Sequence, residues 1–174
     1  MRNLSKNNPK LFKLPIISDE TFQGMVFYPE RVEFQSLTSL KPKVPIITCD
    51  GIGKRYLLPG WRLGWLIVHN RFNALIDVRQ GIWRLLQIIN GPSTMGQGAL
   101  VQTLNKTPSE FFTNTNKVLA ENAKHFAECL GGIPGFKPFP PQAGWFMAVE
   151  IEPNLFKIGV KELIRLFKIK KIWH

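Results

Sequence analysis

The chain has 174 residues, with 23 Lys and Arg against 12 Asp and Glu, so its formal net charge at pH 7 is +11. Hydrophobic residues make up 44% and include 13 Phe and 5 Trp, a composition that can bury a core and excludes a wholly disordered chain. The length allows one domain and a fragment of a second, but it excludes two complete α/β domains.

The positive charge is concentrated at the two ends of the chain. Residues 1–18 carry a net charge of +4 and residues 153–174 carry +5, whereas residues 19–152 carry only +2. A polyanionic partner would be held by clustered Lys and Arg. Because the body of the chain is almost neutral, we expect no nucleic-acid partner.

The cysteines and histidines give no sign of a disulfide scaffold or a metal site. The sequence has two cysteines, Cys49 and Cys129, and three histidines that lie far apart, without the spacing of zinc ligands. No apolar run approaches the roughly 20 residues of a membrane helix, and the N-terminus lacks an apolar signal region. We expect no metal and no membrane partner, and a cytoplasmic location. The alternative is a mitochondrial one, since the N-terminal segment is basic and free of acids.

Three short apolar runs, at residues 14–18, 44–49 and 63–68, predict β-strands. Nearly continuous apolar strands separated by longer segments are typical of a sheet that is covered on both faces. The sequence therefore predicts the α/β class.

Two helices and a further strand follow in the sequence. Apolar residues between Phe72 and Ile89 recur at the helical period, and residues 107–110 form a capping box for a helix that ends at Gly131-Gly132. Prolines and glycines at 135–144 predict a linker, and residues 145–151 predict a strand. We therefore place a boundary between a larger and a smaller unit near residues 134–144.

The loop Asp50-Gly51-Ile52-Gly53-Lys54-Arg55 follows the second predicted strand and is the main candidate site. Its glycines would let the backbone approach a ligand, and its lysine would project into the crevice at the strand ends. The loop is not a P-loop, because Thr48 stands where the first glycine belongs and Arg55 follows the lysine.

Two charged residues elsewhere in the sequence extend this candidate site. Arg62 follows Lys54 in an apolar setting, where a desolvated guanidinium needs an anion such as phosphate. Asp19 ends the first predicted strand, where an unpaired carboxylate would be costly. Pyridoxal 5′-phosphate has an aldehyde for the lysine, a phosphate for the arginine and a ring nitrogen for the carboxylate. One small molecule would thus satisfy all three side chains.

Several segments resemble the cofactor-binding core of the class I, fold-type I aminotransferases, with the closest similarity to the tyrosine aminotransferases. They are residues 15–22, Gly53-Lys54-Arg55, 59–65, 91–94, 97–100, Thr107-Pro108 and 141–144. The resemblance covers roughly residues 15–151. It implies a divergent basic segment at 1–13 and a partial cofactor-binding large domain at 14–133, with a mostly parallel sheet and helices on both faces. A linker and the start of the small C-terminal domain would occupy 134–174.

The resemblance also implies a role for each candidate residue. Lys54 would be the catalytic lysine that bonds pyridoxal phosphate, Asp19 the partner of its ring nitrogen and Arg62 a ligand of its phosphate. Gly51 and Gly53 would belong to the cofactor-binding loop. The family reaction exchanges an amino group between an aromatic L-amino acid, such as tyrosine, and 2-oxoglutarate. A family homodimer is expected.

Two positions depart from the family pattern. Phe22 stands where family members place a tyrosine whose hydroxyl bonds the cofactor's O3′, so the cofactor should be a weaker electron sink here. Asp50 stands where a small neutral residue is commoner, and a carboxylate near a phosphate is unfavourable unless it points away. Family members are also much longer. We therefore expect a truncated chain that is weakly active or inactive alone, or alternatively a non-catalytic fragment that acts through dimerisation.

Overall fold

A computed structural model describes residues 14–156 together with residues 159 and 162. Its strands are β1 (Ile16–Asp19), β2 (Ile46–Gly51), β3 (Gly64–His69), β4 (Phe136–Phe139) and β5 (Ala148–Ile151), and its α-helices are α1 (Ile76–Ile89), α2 (Thr94–Lys106) and α3 (Ser109–Gly131). Single 3-10 turns lie at Pro59–Trp61, Arg71–Asn73 and Pro153–Leu155. The described residues contain both α-helices and strands, and β1 and β2 pair in parallel, so the predicted α/β class is confirmed.

The described residues group into two compact units. The first unit contains residues 14–24 and Phe34–Pro108, and the second contains Met25–Glu33 and the described residues from Ser109 onward. The predicted division into 14–133 and 134–174 concerns the domains of the family fold and stays a prediction. The segment 1–13 lies outside the described residues. None of the described helices is long and apolar enough to cross a lipid bilayer.

The first unit is built on a three-stranded sheet in the order β1-β2-β3. β1 and β2 run parallel, whereas β2 and β3 run antiparallel, so this part of the sheet is mixed. Central strand β2 buries both Ile46 and Ile47, which explains its continuous apolar sequence. On the flanking strands, 73% of Ile17 and 46% of Ile67 are exposed. Only β2 is therefore covered on both faces.

A pair of facing glycines brings β2 and β3 unusually close together. Gly51 is paired with Gly64 at the end of the antiparallel ladder. A Cβ at Gly51 would lie 2.9 Å from the Leu63 carbonyl oxygen, and one at Gly64 would lie 2.9 Å from the Asp50 carbonyl oxygen. Real Cβ atoms do not approach backbone so closely. The absent side chains are thus required by the sheet itself.

The two predicted helices are present, and one further helix was not predicted. The first begins at Ile76 instead of residue 72, because Phe72 and Asn73 adopt left-handed backbone angles. The helix after the capping box runs from Ser109 to Gly131, as predicted. Between them lies α2, whose glycines at 96 and 98 and weak apolar periodicity gave no clear helical pattern.

The second unit combines α3 with a β4–β5 hairpin. The two strands are antiparallel, from Phe136 opposite Ile151 to Phe139 opposite Ala148. The strand β4 was predicted as part of a linker, because it contains Pro138 and lies in a segment rich in prolines and glycines. The second strand, β5, confirms the predicted strand over the last four of its seven residues.

Gly51→Ala is expected to destabilise the first unit by about 1–3 kcal/mol, because its Cβ would meet the rigid backbone of β3. Gly53→Ala is the matched control, since its Cβ would lie 3.7 Å from the Pro59 Cα, an ordinary contact. That control should change stability by less than about 0.5 kcal/mol. Urea denaturation of the full chain measures both variants. An equal loss in both would show that close strand approach is not what Gly51 permits.

Candidate active site

Asp19 is the last residue of β1 and is held by a local turn. Its Oδ1 accepts hydrogen bonds from the Thr21 hydroxyl at 2.8 Å and from the Thr21 backbone N–H at 3.1 Å. These two donors, aided by the charge of Lys54, lower the pKa of Asp19 below its ordinary value, although partial burial opposes them. Asp19 is exposed and paired with Thr21, not stranded in an apolar interior. Its carboxylate is therefore ionised at neutral pH.

Lys54 follows β2 and lies close enough to Asp19 for their charges to interact. Its Nζ is 5.7 Å from the centre of the Phe22 ring, and both side chains are half-buried. An ammonium group at this distance is attracted to the face of an aromatic ring. The structure thus brings together three of the predicted site residues, one from β1, one from the turn after it and one from the loop after β2.

Asp50 lies on the same edge of the sheet but in a different environment. Burial is the main cause that raises the pKa of Asp50. The negative charges of Glu20 and Asp19 raise it further, whereas the Gly51 N–H, which donates to Oδ1 at 2.6 Å, and the charge of Arg55 lower it. Asp50 and Asp19 therefore differ in the direction of their pKa shifts, although they lie on the same edge of the sheet.

Arg62 differs from its sequence-based description. The residue is exposed, has a left-handed φ of 51° and donates from Nη1 to the Pro59 carbonyl oxygen at 3.3 Å. The argument that a desolvated guanidinium there needs an anion is wrong, because water reaches the side chain. Its role as a phosphate ligand then depends on the family resemblance alone.

The two glycines of the loop have different surroundings. Gly51 is buried against β3, as described above, whereas Gly53 is half-buried and has room for a side chain. Backbone approach to a ligand is therefore not needed to explain Gly51. The contribution of both residues to cofactor binding stays a prediction.

Glu20 is a buried residue beside Asp19 that the sequence reasoning left out. Its Oε1 accepts hydrogen bonds from the Ser18 hydroxyl at 2.9 Å, the Ser36 hydroxyl at 3.0 Å and the Leu37 N–H at 3.1 Å. Charge-assisted bonds of this kind are the stronger ones. The carboxylate ties the segment after β1 to residues sixteen and seventeen positions later. The turn that carries Asp19 is thereby fixed to the rest of the first unit.

An open cavity of about 1030 Å³ adjoins this edge of the sheet within the first unit. Asp19, Thr21 and Asp50 contribute its polar margin, and Trp65 and Trp83 belong to its apolar walls. Neither Lys54 nor Arg62 is among its lining residues. The cavity thus touches the acidic side of the candidate site.

Residues 3–171 match the family described as aminotransferase class I and II. The chain belongs to this family. The match extends further at both ends than residues 15–151, where the sequence resemblance was placed. Members of the family use pyridoxal phosphate, act on amino acids and oxo acids, and are typically dimeric.

Individual relatives show the same relationship. The tyrosine aminotransferase of Caenorhabditis elegans is 46% identical over 162 residues, which are 93% of this chain and 34% of that protein. The solved alanine aminotransferase from Pyrococcus furiosus is 32% identical, with a TM-score of 0.72, over 83% of this chain and 36% of that one. For the tyrosine aminotransferase from Leishmania infantum the identity is 34% and the TM-score 0.68, over 76% and 32%. The chain spans about a third of the length of these relatives.

Two side chains of the candidate site suit chemical groups of pyridoxal phosphate. An ionised carboxylate suits a protonated ring nitrogen, and Asp19 is held in that state. A primary amine suits the aldehyde, and Lys54 supplies one within electrostatic reach of Asp19. Among residues 14–156, 159 and 162, no group of three His, Cys, Asp or Glu side chains could hold a metal ion.

Thr21→Val is expected to raise the pKa of Asp19, because the variant keeps the backbone donor and loses the stronger hydroxyl donor. Since the folded pKa lies below the ordinary 3.8, the stabilising contribution of Asp19 is present at neutral pH and is lost as the pH falls through the folded pKa. Carbon-detected NMR titration of the Asp19 carboxyl measures the change. Thr113→Val, on the exposed surface of α3, is the control. An unchanged Asp19 titration in Thr21→Val would contradict the assignment.

Glu20→Ala is expected to destabilise the chain by about 2–4 kcal/mol, because it removes the acceptor of three hydrogen bonds, one of them buried and two partly buried. Glu20→Gln keeps the Oε1 acceptor and should lose markedly less. Thermal and urea denaturation measure the two variants side by side. Equal losses would mean that volume, not the hydrogen bonds, accounts for the effect.

Proposed function

We propose that this chain carries the cofactor-binding centre of a pyridoxal-phosphate-dependent aminotransferase for aromatic amino acids, with tyrosine as amino donor and 2-oxoglutarate as acceptor. The observation that supports it most directly is the ionised carboxylate of Asp19 beside the amine of Lys54. The tyrosine aminotransferases among its relatives support the aromatic substrate. Substrate and turnover are proposals for the whole protein, of which this chain spans about a third of the length.

Asp19 would hold the proton on the pyridine nitrogen. Within the described part of the chain, both donors to Asp19 reach Oδ1, so Oδ2 can face a ring N–H. A lowered pKa keeps the carboxylate charged, which stabilises the positive nitrogen in return. When bound, pyridoxal phosphate supplies an aldehyde that bonds an amine and a ring that withdraws electrons.

Lys54 would bond that aldehyde in the resting protein and move a proton once a substrate amine has displaced it. Its Nζ would take the proton from the substrate α-carbon as general base, and would then deliver it to C4′ of the cofactor as general acid. Phe22 offers the ammonium an aromatic face 5.7 Å away but no hydroxyl. Arg62 would bind the phosphate, and the family homodimer is the expected assembly.

A second candidate function is association without catalysis. Apolar side chains of α1 are extensively exposed, including Trp83 at 67%, Ile88 at 76% and Ile89 at 67%. Exposed apolar area of this extent favours contact with another protein surface. Gel filtration with and without pyridoxal phosphate separates the two functions. A dimer that forms in the unsubstituted chain as it does in Lys54→Ala, with no binding of the cofactor by either, would favour association alone.

Borohydride reduction of the full chain with a small excess of pyridoxal phosphate is expected to place the pyridoxyl group on Lys54. Lys54→Ala should abolish that adduct, whereas Lys43→Ala, which removes an exposed lysine before β2, should leave it unchanged. Peptide mass spectrometry identifies the modified lysine. Pyridoxal without phosphate should label Lys54 less, and Arg62→Ala should remove that difference. Equal labelling of all exposed lysines would overturn the proposed site.

A further inference from the structure

Outside the candidate active site, His125 and Cys129 form a pair on the surface of α3. The Cys129 Sγ lies 3.6 Å from the His125 Nε2, and both residues are exposed. Residues four apart on a helix lie on the same face, one turn apart, so the helix itself fixes the spacing of the two side chains. A thiol and an imidazole on the surface are not needed to pack the core.

The two atoms are within hydrogen-bonding distance, and the same separation is compatible with ligation of one metal ion. A zinc ion binds a cysteine sulfur at about 2.3 Å and a histidine nitrogen at about 2.0–2.1 Å, in tetrahedral geometry. Two such bonds at the tetrahedral angle place sulfur and nitrogen about 3.6 Å apart. The observed Sγ–Nε2 distance is 3.6 Å. A zinc ion would replace the hydrogen bond between the two side chains, which requires rotation of these exposed side chains but no change in the helix.

We propose that His125 and Cys129 form a two-ligand binding site for a divalent cation of zinc-like chemistry, separate from the proposed aminotransferase function. On binding, the ion exchanges two of its waters for the imidazole nitrogen and the sulfur. The thiol releases its proton to solvent, and no oxidation or reduction takes place. Water fills the remaining positions, since the described residues offer no third ligand to this group.

The charges around the pair partly favour a cation. Glu121 lies four residues before His125 and Glu128 precedes Cys129, and both are exposed acids on α3. The positive charge of Lys124, which precedes His125, offsets part of their attraction for a cation. With two protein ligands, the site should be weaker than the closed four-ligand sites that stabilise zinc domains.

Titration of the reduced full chain with Zn²⁺ is expected to show one ion at the pair. Cys129→Ser and His125→Ala should each weaken zinc affinity by roughly tenfold or more. Even the loss of a residue that only hydrogen-bonds a metal ligand lowers metal affinity by about 10–100-fold. Circular dichroism should show intact helices in both variants, because the side chains are exposed. Unchanged affinity in either variant would overturn the proposal.

Cobalt reports directly on the sulfur. With Co²⁺, the chain should show a thiolate-to-metal charge-transfer band that Cys129→Ser abolishes. Cys49→Ser and His69→Ala are the controls, because these residues lie in the sheet of the first unit and should leave the band intact. A band that follows Cys49, or the absence of any band at saturating Co²⁺, would contradict the assignment to α3.

Discussion

The parallel register between β1 and β2 is the constraint on which the candidate site depends. It pairs Ile16 with Ile46 at one end and Asp19 with Cys49 at the other. Both strands therefore end at the same edge, and the loop that carries Lys54 begins after Gly51, two residues beyond the register partner of Asp19. A slip of one residue would move Asp19 by about 3.3 Å and turn its side chain to the other face.

Two carboxylates at this edge show how environment sets their charge. Asp19 is exposed and receives two hydrogen bonds from Thr21, which lower its pKa, whereas Asp50 is half-buried and its pKa is raised. A charged acid suits a protonated ring nitrogen, whereas burial disfavours the charged form of Asp50. Two aspartates at one edge of the sheet thus differ in a way that their residue type alone does not reveal.

Local signals explain most of what the sequence predicted. The capping box at 107–110 and the apolar runs of β1, β2 and β3 are each contained in one short segment, and those elements are present. The helix α2 and the strand β4 were missed because Gly96 and Gly98 have a low helix propensity and Pro138 has a low strand propensity. Tertiary contacts outweigh these local propensities in the fold. Lys54 and Asp19 were predicted as site residues from chemistry and resemblance, and the structure places them within electrostatic reach of each other. The exposure of Arg62 was not predicted, because burial is decided by the whole fold.

The neighbours Asp19 and Glu20 show why the remaining part of the site needed a structure. Their side chains differ in burial, since Asp19 is exposed beside the cavity while Glu20 is buried among donors from Ser18, Ser36 and Leu37. Two of those donors lie sixteen and seventeen residues away, so no local pattern reveals them. If the two side chains exchanged places, Asp19 would be buried without its hydrogen bonds from Thr21, and Glu20 would lose its own three donors. The loss of hydrogen bonds to a buried carboxylate is costly. The adjacent acids therefore favour the register that presents Asp19, and not Glu20, to the candidate cofactor site.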